Sequence, residues 1–531
     1  MGDEGQGTGR KRALWIGGCV AAVALGAGGW ALVAPGDPEP RTGPLSAAEV
    51  RSATDGFLKA WSDGDTDEAA DRTDDATAAA AALRDYRDRA HLTPVHLTAG
   101  APKGARVPLS VRAEFTFKGA HAPVSYDSAL TVVRRAGDGR AVVDWRPAVL
   151  HPRLGDGGRL DVRETSSAPV RALDRDGRAL DLRAFPSLAR VAAGLRQTYG
   201  AAAGGRPAVE LRAPGGDVLA AVPEGAPGKV RTTIDARVQK AAEREVALRS
   251  GASLVVVRPS TGEILAVADS RPQGPDTALE GRLAPGSTMK MITASLLLEK
   301  KLAAPDKPHP CPKNASYGGW KFHNVDDFDI VGGTFRSSFA ASCNTAFITQ
   351  AGRIADDALS RQARDVFGIG ERWSVGVDAF PGAVPVEHAA SKAASLIGQG
   401  EVRMNPMTMA SVVSTARTGQ FHQPYLVAPS VDHRTLATAR RTLDATAHAQ
   451  LRDLLHTTAT SGSASGAMAG LHGDIGAKTG SAEVIGQEKP NGWFAAWHGD
   501  LAASAVMRGA GRGGESSGPL VAAVLKAADS S

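Results

Sequence analysis

Residues Ala13 to Ala34 run for 22 positions without a charge, and this stretch constrains the chain more than any other. As a helix it would be about 33 Å long at roughly 1.5 Å per residue, against about 30 Å for the hydrocarbon core of a bilayer. Arg10, Lys11 and Arg12 precede it, and Trp15 and Trp30 stand near its ends, where amphipathic rings favour the membrane interface. The expectation is a transmembrane signal anchor over 13–34, a cytoplasmic tail over 1–12, and an extracellular location for everything after Pro35. The competing reading is a cleaved signal peptide, but the stretch is long for one and Pro35 obstructs cleavage after Ala34. No second apolar run of that length follows. The remainder is one large exported body.

That body is too long for a single core, so two or three domains are expected. Hydrophobic residues make up 43% of the chain, which excludes a mostly disordered polymer. Lysine and arginine number 61 against 56 aspartates and glutamates, with no basic stripe; this argues against a nucleic-acid partner. Cys19, Cys311 and Cys343 are too few and too scattered for a disulfide scaffold or a zinc site. Cys311 and Cys343, the two exported ones, are either bonded to each other or two buried thiols. The separation leaves both open.

Residues 35–45 form a Pro/Gly-rich linker. Ser46 and Glu49 then have the spacing of a capping box, opening a helix with Val50, Phe57, Leu58 and Trp61 on one side. A second, Ala-rich helical stretch is expected over roughly Thr66 to Arg89. The period then becomes two: Val111, Ala113, Phe115 and Phe117 alternate with polar residues. Strand-like runs follow at Ala129–Arg134 and Ala141–Trp145 around the turn Gly137-Asp138-Gly139. Helices followed by antiparallel strands make 46–152 a small α+β domain. Residues 153–229, punctuated by Arg, Gly and Pro, read as a connecting domain. From 230 to 531 the pattern is that of a large mixed α/β domain. Its strands include Leu254–Val257 and Ile264–Ala268, joined by Pro259-Ser260-Thr261-Gly262. Met289–Leu298 is apolar all round, which fits a buried central helix.

Of sixteen lysines only Lys290 has a serine three positions before it, in Pro285-Gly286-Ser287-Thr288-Met289-Lys290. Positions three apart share a helix face, so the Lys290 amine can approach the Ser287 hydroxyl. A serine needs a base at neutral pH. Lysine can serve if burial, a second cation and a helix N-terminus disfavour its charge. Ser-x-x-Lys alone is common. Ser342-Cys343-Asn344 lies 55 residues after Ser287, and Lys478-Thr479-Gly480 lies 136 residues after Ser342. A Ser/Asn pair can relay a proton and hold an amide. Lys-Thr-Gly on a strand offers a cation and a hydroxyl to a carboxylate, and glycine admits close backbone approach.

The three motifs in this order resemble those of penicillin-binding proteins and related serine enzymes. Over about 229–531 the sequence resembles the class B, transpeptidase-only type. Val230–Asp235 with Gln239, Gly398-Gln399-Gly400, Pro406–Ala410 and Trp493-Phe494 through Trp497 also resemble signatures of that family. Upstream, Phe57 to Trp61, Val143-Asp144-Trp145 and His151-Pro152 resemble the NTF2-like extension of the methicillin-resistance type. The implied fold is a mixed α/β serine β-lactamase/transpeptidase-like domain, behind a transmembrane helix and an α+β NTF2-like domain.

The resemblance implies that Ser287 attacks the penultimate D-Ala carbonyl of a peptidoglycan stem peptide, with Lys290 as general base. Ser342 and Asn344 would assist proton transfer and positioning. Lys478 and Thr479 would receive the terminal carboxylate beside Gly480. Backbone N–H groups of Ser287 and Ser481 would form the oxyanion hole. β-Lactams would block Ser287, and a membrane glycan polymerase is an implied partner. No metal or organic cofactor is implied; His323, Asp326, Asp327 and Asp329 read as a solvated loop. The alternatives are an exported serine β-lactamase, a D,D-carboxypeptidase using water as acceptor, and a non-catalytic wall-assembly scaffold or β-lactam sensor. A class A β-lactamase would need a deacylating Glu, and prompt hydrolysis of a chromogenic cephalosporin would favour a lactamase over a transpeptidase.

Overall fold

The computed structural model describes residues 42–529; the tail 1–12, the anchor stretch 13–34 and linker residues 35–41 lie outside them. The N-terminal body opens as its sequence predicts. Helix Ala47–Ser62 starts at Ser46, whose hydroxyl accepts the Glu49 N–H while the Glu49 carboxylate accepts the Ser46 N–H at 2.9 Å. Val50, Phe57, Leu58 and Trp61 are buried. The Ala-rich stretch is not one helix. It divides into Thr66–Asp71 and Ala76–Arg84, followed by a π turn over Asp85–Arg89. The Asp75 carboxylate accepts the Ala78 N–H and restarts the helix, because a short acidic side chain competes for free N–H groups better than it supports a helix interior.

Four strands follow: β1 (Leu92–Ala99), β2 (Arg106–Phe117), β3 (Ala120–Arg134) and β4 (Ala141–Val143), antiparallel in that order. The alternation read for β2 is real, with Val107, Leu109, Val111, Ala113 and Phe115 all facing the core. Strand β1 was not legible, and β3 starts nine residues before the expected Ala129. Both carry mixed or polar stretches that are strands because β2 supplies hydrogen-bonding partners, which their own residue pattern does not show.

The connecting stretch contributes β5 (Asp161–Glu164), β6 (Val170–Leu173), helix Ala189–Tyr199, β7 (Val209–Arg212), β8 (Val218–Val222) and β9 (Gly228–Arg231). Its apolar side chains divide between two cores. Strands β5, β7 and β8 form one sheet, and Val209, Leu211, Ala220 and Val222 join the core of the N-terminal body. The parallel pair β6 and β9 and the helix send Ala172, Val191, Leu195 and Val230 to the core of the C-terminal domain. Each small sheet has one apolar face and nothing of its own to cover it.

The C-terminal domain is built on β10 (Ala252–Val257) and β11 (Ile264–Asp269), a hairpin of β12 (Asn314–Tyr317) and β13 (Trp320–His323), and β14 (Ile475–Ala482), β15 (Asn491–His498) and β16 (Leu501–Met507). Five of these form an antiparallel sheet in the order β11-β10-β16-β15-β14. Helices Ala236–Ala247 and Ser517–Asp529 pack on one face; helices Pro406–Thr418 and Ala445–Thr460 pack on the other. All of β10 is therefore buried. Helix Lys290–Glu299 is buried at every position to Leu298, as its unbroken apolar run predicts.

Candidate active site

Ser287 stands in a 3₁₀ turn, Gly286–Met289, that runs directly into helix Lys290–Glu299. The turn is pressed against β14. Gly286 has φ +53°, and a Cβ there would lie 2.5 Å from the Ser481 carbonyl oxygen, so only glycine fits. Its N–H donates to the Gly398 carbonyl at 2.9 Å. The Pro-Gly and Gly-Gln-Gly signatures are thus parts of one contact that seats the serine beside the sheet edge.

The Lys290 amine is fully buried. It lies 2.9 Å from Ser287 Oγ, 2.7 Å from the Ser342 carbonyl oxygen and 2.7 Å from Asn344 Oδ1. Burial, and secondarily the nearby Lys478 ammonium, pushes Lys290 well below the usual lysine range. A neutral amine has two N–H donors and one lone pair. The Ser342 and Asn344 oxygens can only accept, and the Asn344 orientation is set by its Nδ2 donating to the His323 carbonyl at 3.1 Å. Both donors are then occupied, and the lone pair is left for the Ser287 hydroxyl. The arrangement suits removal of a hydroxyl proton.

Lys478, on β14, is also fully buried and pushed down to about 7 by that burial. It donates to Ser342 Oγ at 2.8 Å and to the Thr479 carbonyl at 3.1 Å. Ser342 therefore touches both lysines, one through its carbonyl and one through its hydroxyl. It does so with φ 60°, a left-handed conformation uncommon for a residue other than glycine. Two neighbours hold it there. Asn324 Oδ1 accepts the Asn344 and Thr345 N–H groups at 2.8 and 3.1 Å, and Cys343 is disulfide-bonded to Cys311. The second cysteine reading, two thiols, is thereby excluded.

The structure thus gathers Ser287, Lys290, Ser342, Asn344 and Lys478 in one hydrogen-bonded cluster, with Thr479 and Gly480 following on β14 and Ser481 beside the serine turn. Two contributors carried no sequence signal. Buried Asn324 orients the Ser-Cys-Asn segment from the hairpin's end. Ser463, from the turn after helix Ala445–Thr460, lies 2.8 Å from Thr479 Oγ1, hydroxyl to hydroxyl. An asparagine and a serine in loops look like any others until the chain is folded. In the acidic loop Asp327 lies 3.3 Å from His323 and 3.6 Å from Lys313, and Asp326 pairs with Arg512.

Residues 252–526, just over half of the chain, match the penicillin binding protein transpeptidase domain. The chain belongs to this family. The penicillin-binding protein described here is 28% identical over 373 residues to the peptidoglycan D,D-transpeptidase PbpA of Mycobacterium tuberculosis, a match covering 57% of this chain and 72% of that one. It is 28% identical over 333 residues to PbpA of Mycolicibacterium smegmatis, covering 51% and 64%. With such relatives it is a class B-like transpeptidase. Penicillin-binding protein 2 of Pseudomonas aeruginosa shares its fold at a TM-score of 0.56 and 19% identity, over 68% of this chain and 96% of that one. Penicillin-binding protein 3 of M. tuberculosis does so at 0.54 and 21%, over 69% and 96%. The mixed α/β transpeptidase fold expected from the motifs is the one found.

The disulfide yields a prediction. The 32-residue separation corresponds to a chain-entropy stabilisation of about 3–4 kcal/mol. Replacing both Cys311 and Cys343 with alanine is expected to lower the melting temperature and to slow acylation by up to about 100-fold, as Ser342 and Asn344 lose their registration. Thermal melts and stopped-flow labelling measure the two effects separately. An unchanged labelling rate would show that Asn324 alone suffices.

Proposed function

We propose that this chain is a peptidoglycan D,D-transpeptidase, working through a serine acyl-enzyme and covalently inhibited by β-lactams. The observation that carries the reading is the buried Lys290 amine, its two donors on fixed carbonyl oxygens and its lone pair towards Ser287. In the first half-reaction Lys290 takes the Ser287 proton as Oγ bonds to the penultimate D-Ala carbonyl carbon. The terminal D-Ala departs as an amine when the C–N bond breaks, and it receives a proton from the Lys290–Ser342–Lys478 chain. Asn344 holds the substrate amide. Lys478, Thr479 and Ser463 meet the terminal carboxylate, while the Ser287 and Ser481 N–H groups face the developing oxyanion. One such donor typically contributes ~3–4 kcal/mol. In the second half an amine of a neighbouring stem bonds to the ester carbonyl carbon and gives a proton to Lys290, which passes it to Ser287 Oγ as the C–O bond breaks. A β-lactam opens on the same serine.

The body over 46–152 fits an NTF2-like extension: helical segments followed by a four-stranded antiparallel sheet, sharing one core. The stretch 13–34 acts as a single-pass anchor with the 230–531 domain outside the cell membrane. The Cys311–Cys343 bond supports that side, since disulfides persist in oxidising compartments. A membrane glycan polymerase is the partner proposed to supply the strands.

The test is to incubate the purified full chain with stem pentapeptides and read the products by mass. Cross-linked dimers minus one D-Ala are expected. Tetrapeptide alone would make the chain a carboxypeptidase, and rapid turnover of a chromogenic cephalosporin would make it a β-lactamase.

A further inference from the structure

An ion pair joins two loops that flank the clustered motif residues. Asp326 belongs to the loop that leaves Asn324, the residue that holds Asn344 and Thr345. Arg512 belongs to the loop between β16 and helix Ser517–Asp529. It precedes Gly513 and Gly514, which pack so closely on β14 and its neighbours that a Cβ would lie 2.3 Å from the Gly480 carbonyl oxygen and 3.4 Å from Thr479 Cγ2, respectively. The Arg512 guanidinium reaches over to the Asp326 carboxylate. Both side chains are more than half exposed, 51% and 61%, so the bond is open to competition from solvent and from any other anion. Asp327 next to it lies near His323 and Lys313 on its own side. Asp326 is the member turned to the far side.

Resting on the transpeptidase reading, we propose that Arg512 is a specificity-determining residue that captures the carboxylate of the incoming stem peptide or β-lactam, in competition with Asp326. The chemistry favours it. Lys478 and Thr479 wait for that carboxylate inside the cleft, but Lys478 is buried and pushed down to about 7, so its charge is only partly present at neutral pH. A guanidinium stays charged at every pH and can grip a carboxylate with two parallel N–H groups. Arg512 lies two residues before Gly514, where a Cβ would be 3.4 Å from Thr479 Cγ2, and its exposure suits first encounter. Asp326 holds it until a ligand carboxylate replaces that of the protein. The exchange is one carboxylate for another, and the released Asp326 carboxylate, 61% exposed, is hydrated in its place.

The measurement is the second-order rate constant for labelling of the full-length chain by a fluorescent penicillin, which carries a carboxylate, at low and high salt. Asp326→Asn frees Arg512 and is expected to accelerate labelling about 2- to 5-fold at low salt, the range of an exposed ion pair. Arg512→Gln is expected to slow it by a similar factor, and the double variant to behave as Arg512→Gln alone. High salt should shrink both differences. Arg512→Lys, which keeps the charge, is expected to label faster than Arg512→Gln, which separates charge from any folding defect. If both single variants accelerate labelling equally, the pair is only a closure and capture is overturned. An Asp326→Asn rate equal to the parent's overturns the competition. A parent that never labels would instead refute the transpeptidase reading.

Discussion

Ser287→Ala is expected to lose all covalent labelling by a fluorescent penicillin, while Ser295→Ala is labelled like the parent. Both serines lie on the same short segment, and their surroundings differ. Ser287 is half-buried at the cleft, 2.9 Å from the Lys290 amine. Ser295 is fully buried two turns on, where it donates to the Ile292 carbonyl and accepts from Gln362. Removing a nucleophilic serine elsewhere costs on the order of a million-fold, so the label should fall below detection. Alanine at 287 leaves the helix start intact, and unchanged thermal melting checks this. A Ser287→Ala protein that still forms the adduct would move the nucleophile to another residue and remove the mechanism.

Lys290→Met is expected to cost about 10²- to 10⁴-fold in acylation rate, the usual contribution of a general base. Methionine, one heavy atom shorter and unbranched, fills most of the buried space beside Phe347, over whose ring the Lys290 amine sits at 5.5 Å. The loss then reports the base rather than a cavity. The pH profile of the parent gives the same residue an independent signature. Lys290 acts when neutral, and burial holds it well below the ordinary lysine range. Acylation should therefore reach its plateau well below the ordinary lysine value. It should drop about tenfold per pH unit only as pH falls through that lowered value and the amine gains its proton. A rate still climbing towards the ordinary lysine value would show a charged Lys290 and exclude it as the base.

The site was legible because its parts are short and their types are dictated by chemistry. Ser287 with Lys290 needs only the helix period, and Lys478-Thr479-Gly480 needs only a strand. The Ser46–Glu49 cap, the alternation of β2 and the buried run at Met289–Leu298 are local in the same sense: each residue's role follows from neighbours a few positions away. Strand β1, the early part of β3 and the break at Asp75 were not legible, because pairing with β2 or a competing cap decided them. The two-way division of 153–229 between cores has the same origin.

Sequence alone carried the identities of the candidate site residues, their order along the chain and the class of fold able to bring them together. Three-dimensional packing alone set the charge of Lys290 and Lys478, the disulfide, the left-handed turn at Ser342, and the parts played by Asn324, Ser463 and Arg512. The reason is physical. Desolvation, hydrogen-bond saturation and ion pairing depend on distances between groups tens to hundreds of residues apart, whereas helix and strand periods are properties of adjacent residues.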